Sequence, residues 1–234
     1  MIPGSAVMFF PAAAGAFDPY WSNVVLAMRM DGLTELTGKT VTVGVGMPSI
    51  VTGRFGNCLA FANNTSLRVS NSSSFEFGSG DFTIECWYKP ANFSKRNVLF
   101  YHGAADGIGS SVMLDVEITN AQVEIRFTSS DGSVRTIGNS LNTLIAGNWY
   151  HLVGTRFNGQ LHVFVNGVMD NVVANTVPGN GIMRASSINY YIGAQGTNGT
   201  PGMGGGLLDD LRITKGIARY TTNFTPPTAP FPGA

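Results

Sequence analysis

Charge is scarce in this chain. Only 12% of its 234 residues are Asp, Glu, Lys or Arg, and 14 basic residues balance 14 acidic ones, so the formal net charge is zero. With the basic residues scattered as well, the chain has no long-range pull on nucleic acid or on an anionic membrane, and neither is expected as a partner. No apolar run is long enough for a transmembrane helix, and no segment sustains apolar residues at helical spacing, which leaves helix to short turns. The two cysteines, Cys58 and Cys86, form no disulfide framework and lack zinc-finger spacing; they are expected as unpaired, small buried hydrophobes. Beside His102, His151 and His162 there is no Gly-x-Ser-x-Gly elbow. The run Met203-Gly204-Gly205-Gly206 precedes a strand and lacks the Lys-Ser or Lys-Thr that follows a phosphate loop. These absences leave no support for a hydrolytic triad or a nucleotide site.

What the chain has in quantity is glycine, 30 residues of it, together with Asn, Ser and Thr, a composition that solvates and turns β-structure and suits a secreted or virion shell protein. The clearest stretch is residues 147–167. Strand-forming residues 149–157 and 160–165 flank Asn158-Gly159, a pair that supplies the positive-φ turn of a hairpin, and Asn166-Gly167 repeats the signal before residues 168–174. Three strands so linked form an antiparallel meander. His151 and His162 on this hairpin are expected as cross-strand structural neighbours.

Further strands are expected at 24–30, 40–45, 58–61, 66–69, 82–89, 98–101, 112–118, 122–128, 134–137, 188–192 and 207–214, with residues 70–80 and 194–206 as long loops. Turn signals every ten or so residues give an all-β, two-sheet antiparallel β-sandwich. Alternation in the strand at 82–89 places Phe82, Ile84, Cys86 and Tyr88 toward the core and Thr83, Glu85, Trp87 and Lys89 on a more exposed face. Cys58 is expected opposite Leu59 and Phe61. The strand at 149–156 alternates less cleanly, as one covered on both sides would. Before Asp18 the chain has an apolar segment without the positive n-region of a signal peptide and with Pro11 interrupting it. Phe9, Phe10, Phe17, Tyr20 and Trp21 make it either a segment folded back on its own domain or an arm that docks on a partner subunit.

Four blocks now support a resemblance. RFGNCLAF at 54–61, GSGDFTIECWYKP at 78–90, NWYHLVGTRFNGQLHVFVNG at 148–167, and YYIGA at 190–194 followed by LDDLRIT at 208–214 resemble, in order and spacing, the laminin-G-like or concanavalin A-like jelly-roll domain. The opening DPYWSNVVLAMRMDG at 18–32 and the tail TKGIARYTTNFTPPTAPFP at 214–232 resemble phage-encoded members of that group. The resemblance covers nearly everything from Asp18 to Pro232 and leaves residues 1–17 outside it, so the expected division is an N-terminal apolar arm at 1–17, a laminin-G-like sandwich at 18–215 and a Pro-rich C-terminal tail at 216–234. It implies a virion protein assembled in the host cytoplasm: a structural accessory subunit such as a capsid decoration, head-fibre or tail-associated protein. Its expected partners are other virion proteins and further copies of itself. The alternative is a receptor-binding adhesin for a host-surface glycan.

Relatives that hydrolyse glycans carry paired carboxylates at alternate positions of one strand. Asp115-Val116-Glu117 is the one near match, and no acid follows at Thr119, so the chain is not expected to be an enzyme. Calcium at the sandwich rim is the cofactor the resemblance implies, with Asp106, Asp209 and Asp210 as ligands. For glycan, Trp87, His102, Tyr190 and Tyr191 offer ring faces and Asn166 and Asn198 polar neighbours. Each group also has a purely structural reading: Trp87 as packing, Asn166 as a turn residue, and Asp209 and Asp210 as anchors of the last strand.

Overall fold

A computed structural model describes residues 17–103, 110–117, 120–138, 142–169, 175–176, 181–195 and 203–233. Phe9, Phe10, Asp106 and Asn198 lie outside them. Two antiparallel sheets stack face to face. The first runs β13 (Val168–Met169), β12 (Gln160–Val165), β11 (Tyr150–Phe157), β6 (Phe82–Pro90), β16 (Gly206–Lys215), β4 (Asn57–Phe61) and β3 (Ser49–Thr52). In it β1 (Val24–Met28) takes the second half of the β16 edge that β4 takes first, and β14 (Asn175–Thr176) adds to β12. The second sheet runs β10 (Val134–Gly138), β9 (Val123–Thr128), β8 (Ser110–Val116), β7 (Asn97–Gly103), β15 (Tyr190–Ile192), β5 (Leu67–Val69) and β2 (Val41–Val43). The expected two-sheet sandwich is the observed fold.

Both Asn-Gly turns form as expected, with φ of 48° and 73° at Asn158 and Gly159 and of 51° and 79° at Asn166 and Gly167. β3 was not expected. It is a short edge strand with three of its four residues exposed, so no buried face imprinted a period on it. Between the sheets, Ile84, Tyr88, Leu152 and Ile213 meet Leu114, Ile125, Phe127 and Tyr190 in a single apolar cluster. At Gly154 the layers approach closely: a Cβ there would collide with Ile125 Cδ1 and stand 3.2 Å from Leu114 Cδ1. Phe75 and Phe77, within the expected loop at 70–80, also belong to this core.

The outer face of the first sheet departs from expectation. Thr83, Glu85 and Trp87 are buried and only Lys89 is half-exposed, because residues 217–231 fold across this face. Tyr220 stacks on Phe224 at 3.6 Å between centroids, and both rings pack on Phe164. The Phe224 amide donates to Gly167 O at 2.8 Å, and the approach is so close that a Cβ on Gly167 would strike the Phe224 carbonyl oxygen. Polar residues on this face are therefore partners for the tail and not for water. Arg212 donates to Glu85 Oε1 at 2.9 Å and to Asp18 Oδ2 at 3.0 Å, Arg219 grips Asp18 through both terminal nitrogens at 3.1 and 2.8 Å, and Tyr220 OH donates to Glu85 Oε2 at 2.8 Å. Two buried carboxylates thus meet two buried guanidiniums, which is what lets the charges leave water. Burial alone would push the Glu85 carboxyl up, but Arg212, His151 and Arg219 outweigh it and hold the group well below the usual carboxylate range.

Cys86 faces the core; Cys58 lies on the opposite face from Leu59 and Phe61, and both thiols are free and buried. The histidines are not paired across β11 and β12: His162 stands opposite Thr155, and His151 opposite Trp87 of β6. Glu85→Gln should lower the unfolding free energy by about 3 kcal/mol, because it leaves Asp18 as the one carboxylate facing both Arg212 and Arg219; urea denaturation monitored by fluorescence measures the loss.

Candidate functional site

Each sheet has one outer face, and the tail has closed the first. Trp87 lies beneath Arg54, whose guanidinium carbon is 4.2 Å from its ring centroid, and packs edge-on against Phe55. Asn166 is an exposed turn residue whose Oδ1 accepts from the His151 amide at 2.9 Å. Asp209 accepts from the Arg54 and Phe55 amides at 2.7 and 3.1 Å and so braces the turn between β3 and β4. Asp210, at φ 44° in a register shift of β16, accepts from the Phe231 amide and fixes the end of the tail. Burial raises its carboxyl to about 7, against the pull of that amide. The two adjacent aspartates are thus committed to different neighbours. Of the expected arm residues, Phe17 is 69% exposed, Tyr20 lies under the Arg219 guanidinium, and Trp21 opens a short 3-10 turn.

His102 and Tyr190 are brought together, but on the inner face of the second sheet: their rings stack at 4.0 Å, and Tyr190 OH donates to Asn71 and Ser72. Neither His102 nitrogen has a hydrogen-bond partner, and burial lowers the imidazole to about 3.

On the outer face of the second sheet, Tyr191 packs with Tyr101, Val98 and Met113 in a separate apolar cluster. Around it stand exposed Arg68, whose Nε donates to Thr42 Oγ1 at 3.2 Å, and half-buried Arg126. Further along β8 and β9, three carboxylates converge. Asp115 and Glu117 project from one strand, Glu124 stands directly opposite Asp115, and one oxygen of each lies within 4.8 Å of the others. Arg96, in the segment leading into β7, contacts all three: Asp115 Oδ2 at 2.8 Å, Glu124 Oε2 at 3.3 Å, and Glu117 Oε2. Burial raises Asp115 to about 8 despite Arg96, and raises Glu124 for the same reason. Asp115, Glu117 and Glu124 are the described residues able to hold a metal together. Sequence reasoning noticed Asp115 and Glu117 but sought the third acid further along the same strand; the hairpin supplies it from the next one.

The sequence model of the concanavalin A-like lectin/glucanases superfamily matches residues 61–217. The chain belongs to this superfamily. No curated protein matches it in sequence. Among solved structures, domain 4 of AbnA, a GH43 extracellular arabinanase of Geobacillus stearothermophilus solved with arabinotriose, superposes with a TM-score of 0.61 at 17% identity, covering 82% of this chain and 92% of that one. The binding domain of Paraclostridial Mosquitocidal Protein 1 gives 0.65 at 17%, covering 84% and 50%. Botulinum neurotoxin type C, which depends on two ganglioside molecules to enter cells, gives 0.60 at 12%, covering 85% and 49%. The chain thus spans about half the length of the toxin structures. At these identities the likeness establishes the superfamily fold alone.

His102, His151 and His162 are all lowered by burial. For a group held below its unfolded value of 6.5, the stability it contributes is present above that pH and is lost on acidification toward its folded value. The raised carboxyls of Asp115 and Asp210 act in the opposite sense, so the prediction is a difference: between pH 7 and pH 4.5 the wild type should lose melting temperature relative to His102→Phe, which keeps a ring against Tyr190.

Proposed function

We propose that this sandwich is a non-catalytic carbohydrate-recognition domain, acting as an adhesin, with its ligand on the outer face of the second sheet. The observation that carries the reading is the division between the two faces. The tail occupies the first. The second holds the cluster of Tyr101 and Tyr191, 7% and 4% exposed, beneath exposed Arg68 and half-buried Arg126, whose guanidiniums suit a sugar's hydroxyls or carboxylate. The neighbours solved with arabinotriose or described with gangliosides support the same class of ligand. The non-catalytic assignment rests on Arg96. A glycosidase needs one carboxyl free to attack and another to give up a proton, whereas here one guanidinium engages Asp115, Glu117 and Glu124 together.

The virion setting, with attachment to other particle proteins and self-association, is the location we propose for this adhesin, on the resemblance of residues 18–32 and 214–232 to phage-encoded members. A purely structural accessory role is the second reading. It would draw on the apolar segment before Asp18, since Tyr220, Phe224 and Phe231 are engaged with the first sheet.

On a broad glycan array the full chain should bind a defined set of glycans. Arg68→Ala and Tyr191→Ala should each weaken binding to them at least tenfold, while Ile145→Ser, at an exposed position elsewhere, leaves it unchanged. A blank array, or binding indifferent to both substitutions, rejects the reading.

A further inference from the structure

We propose that Asp115, Glu117 and Glu124 form a divalent-cation site, suited to calcium, at which the Arg96 guanidinium serves as a built-in competitor. The first support is geometric. Two oxygens bound to one calcium stand at most twice the metal–oxygen distance apart, about 4.6–5.2 Å. The three carboxylates already offer one oxygen each within 4.8 Å of one another, so small side-chain adjustments bring all three to a single ion. The backbone is the reason for this convergence. Asp115 and Glu117 share a face by strand alternation, Glu124 is the register partner of Asp115, and the Glu117 amide, donating to Gln122 O at 2.8 Å, holds the hairpin closed beside them.

The second support is independent of the clustering. Asp115 is fully buried, yet only its Oδ2 is engaged, by Arg96; Oδ1 is buried with no hydrogen-bond partner. An orphaned, desolvated carboxylate oxygen is costly, and a cation is the ligand that satisfies it. The ligand set is all oxygen, as hard cations require. Three carboxylates plus waters at the 18% exposed, Arg96 side suit the loose six-to-eight coordination of calcium better than the strict octahedron of magnesium. The site is distinct from the aspartates at the rim, and it stands whether or not the neighbouring tyrosines bind a sugar.

Calcium chloride titrated into the full-length chain in glycan-free buffer, by calorimetry and by thermal unfolding, tests the proposal. The wild type should bind calcium, melt higher in its presence, and bind magnesium more weakly. Arg96→Gln removes the competitor and should bind calcium at least tenfold more tightly; if that variant is unstable, calcium should restore its melting temperature. Glu117→Gln, at a half-buried position with Arg96 retained, should lose at least tenfold. The proposal is overturned if 10 mM calcium, about ten times the dissociation constant of the weakest extracellular sites, leaves both wild type and Arg96→Gln unmoved, or if Glu117→Gln responds as the wild type does.

Discussion

The arrangement of this protein depends on one buried ionic knot. Glu85 sits on the outer face of a central strand, where water would ordinarily solvate it, and is instead engaged by Arg212 and Tyr220, with Asp18 and Arg219 completing the set. Three distant parts of the chain meet there: the opening at Asp18, the middle strand, and the tail beyond Lys215. Charges taken out of water this completely are tolerable only when every one has a partner, so each member obliges the others to stay. Around the knot the aromatic residues Tyr220, Phe224 and Phe231 add apolar cover, with the Arg212 guanidinium 4.1 Å from the Phe231 ring centroid. The tail is thus part of the domain in the same sense as a strand is.

That closure divides the labour between the faces. A concanavalin A-like sandwich has two broad outer surfaces, and here the one carrying Trp87 and His151 is given to stability. Asp209 and Asp210 are drawn into the same task, one bracing the β3–β4 turn and the other holding the end of the tail. The opposite surface, where arginines and carboxylates lie within a few strands of the buried Tyr101–Tyr191 cluster, is the one we propose for recognition. Two groups of charges are buried or half-buried together: the knot and the group around Arg96.

Much of the fold was legible in the residues. Asn158-Gly159 and Asn166-Gly167 announce their turns because few other pairs adopt positive φ, and β11 betrays its double burial through its blurred alternation. The polar face of β6 was misread as exposed, since a local period distinguishes apolar from polar but not solvated from ion-paired; only Tyr220 and Arg219, more than a hundred residues away, reveal the difference. β3 left no trace because it buries nothing. At the candidate site, Tyr191 was visible as an aromatic group of uncertain facing, whereas the carboxylate trio was hidden by register. Glu124 meets Asp115 through a hairpin whose pairing must be known before the two can be placed together.

The central claim, that the tail is locked onto the first sheet by this knot, is tested most directly by amide hydrogen exchange on the intact chain. Arg219, Phe224 and Phe231 belong to no strand, yet their amides donate to Thr83 Oγ1, Gly167 O and Asp210 Oδ2. The account predicts that these three exchange far more slowly than an unstructured peptide and are released together with the strands they cover. Exchange at peptide rates across residues 217–231 would contradict it, and would return the outer face of the first sheet to solvent.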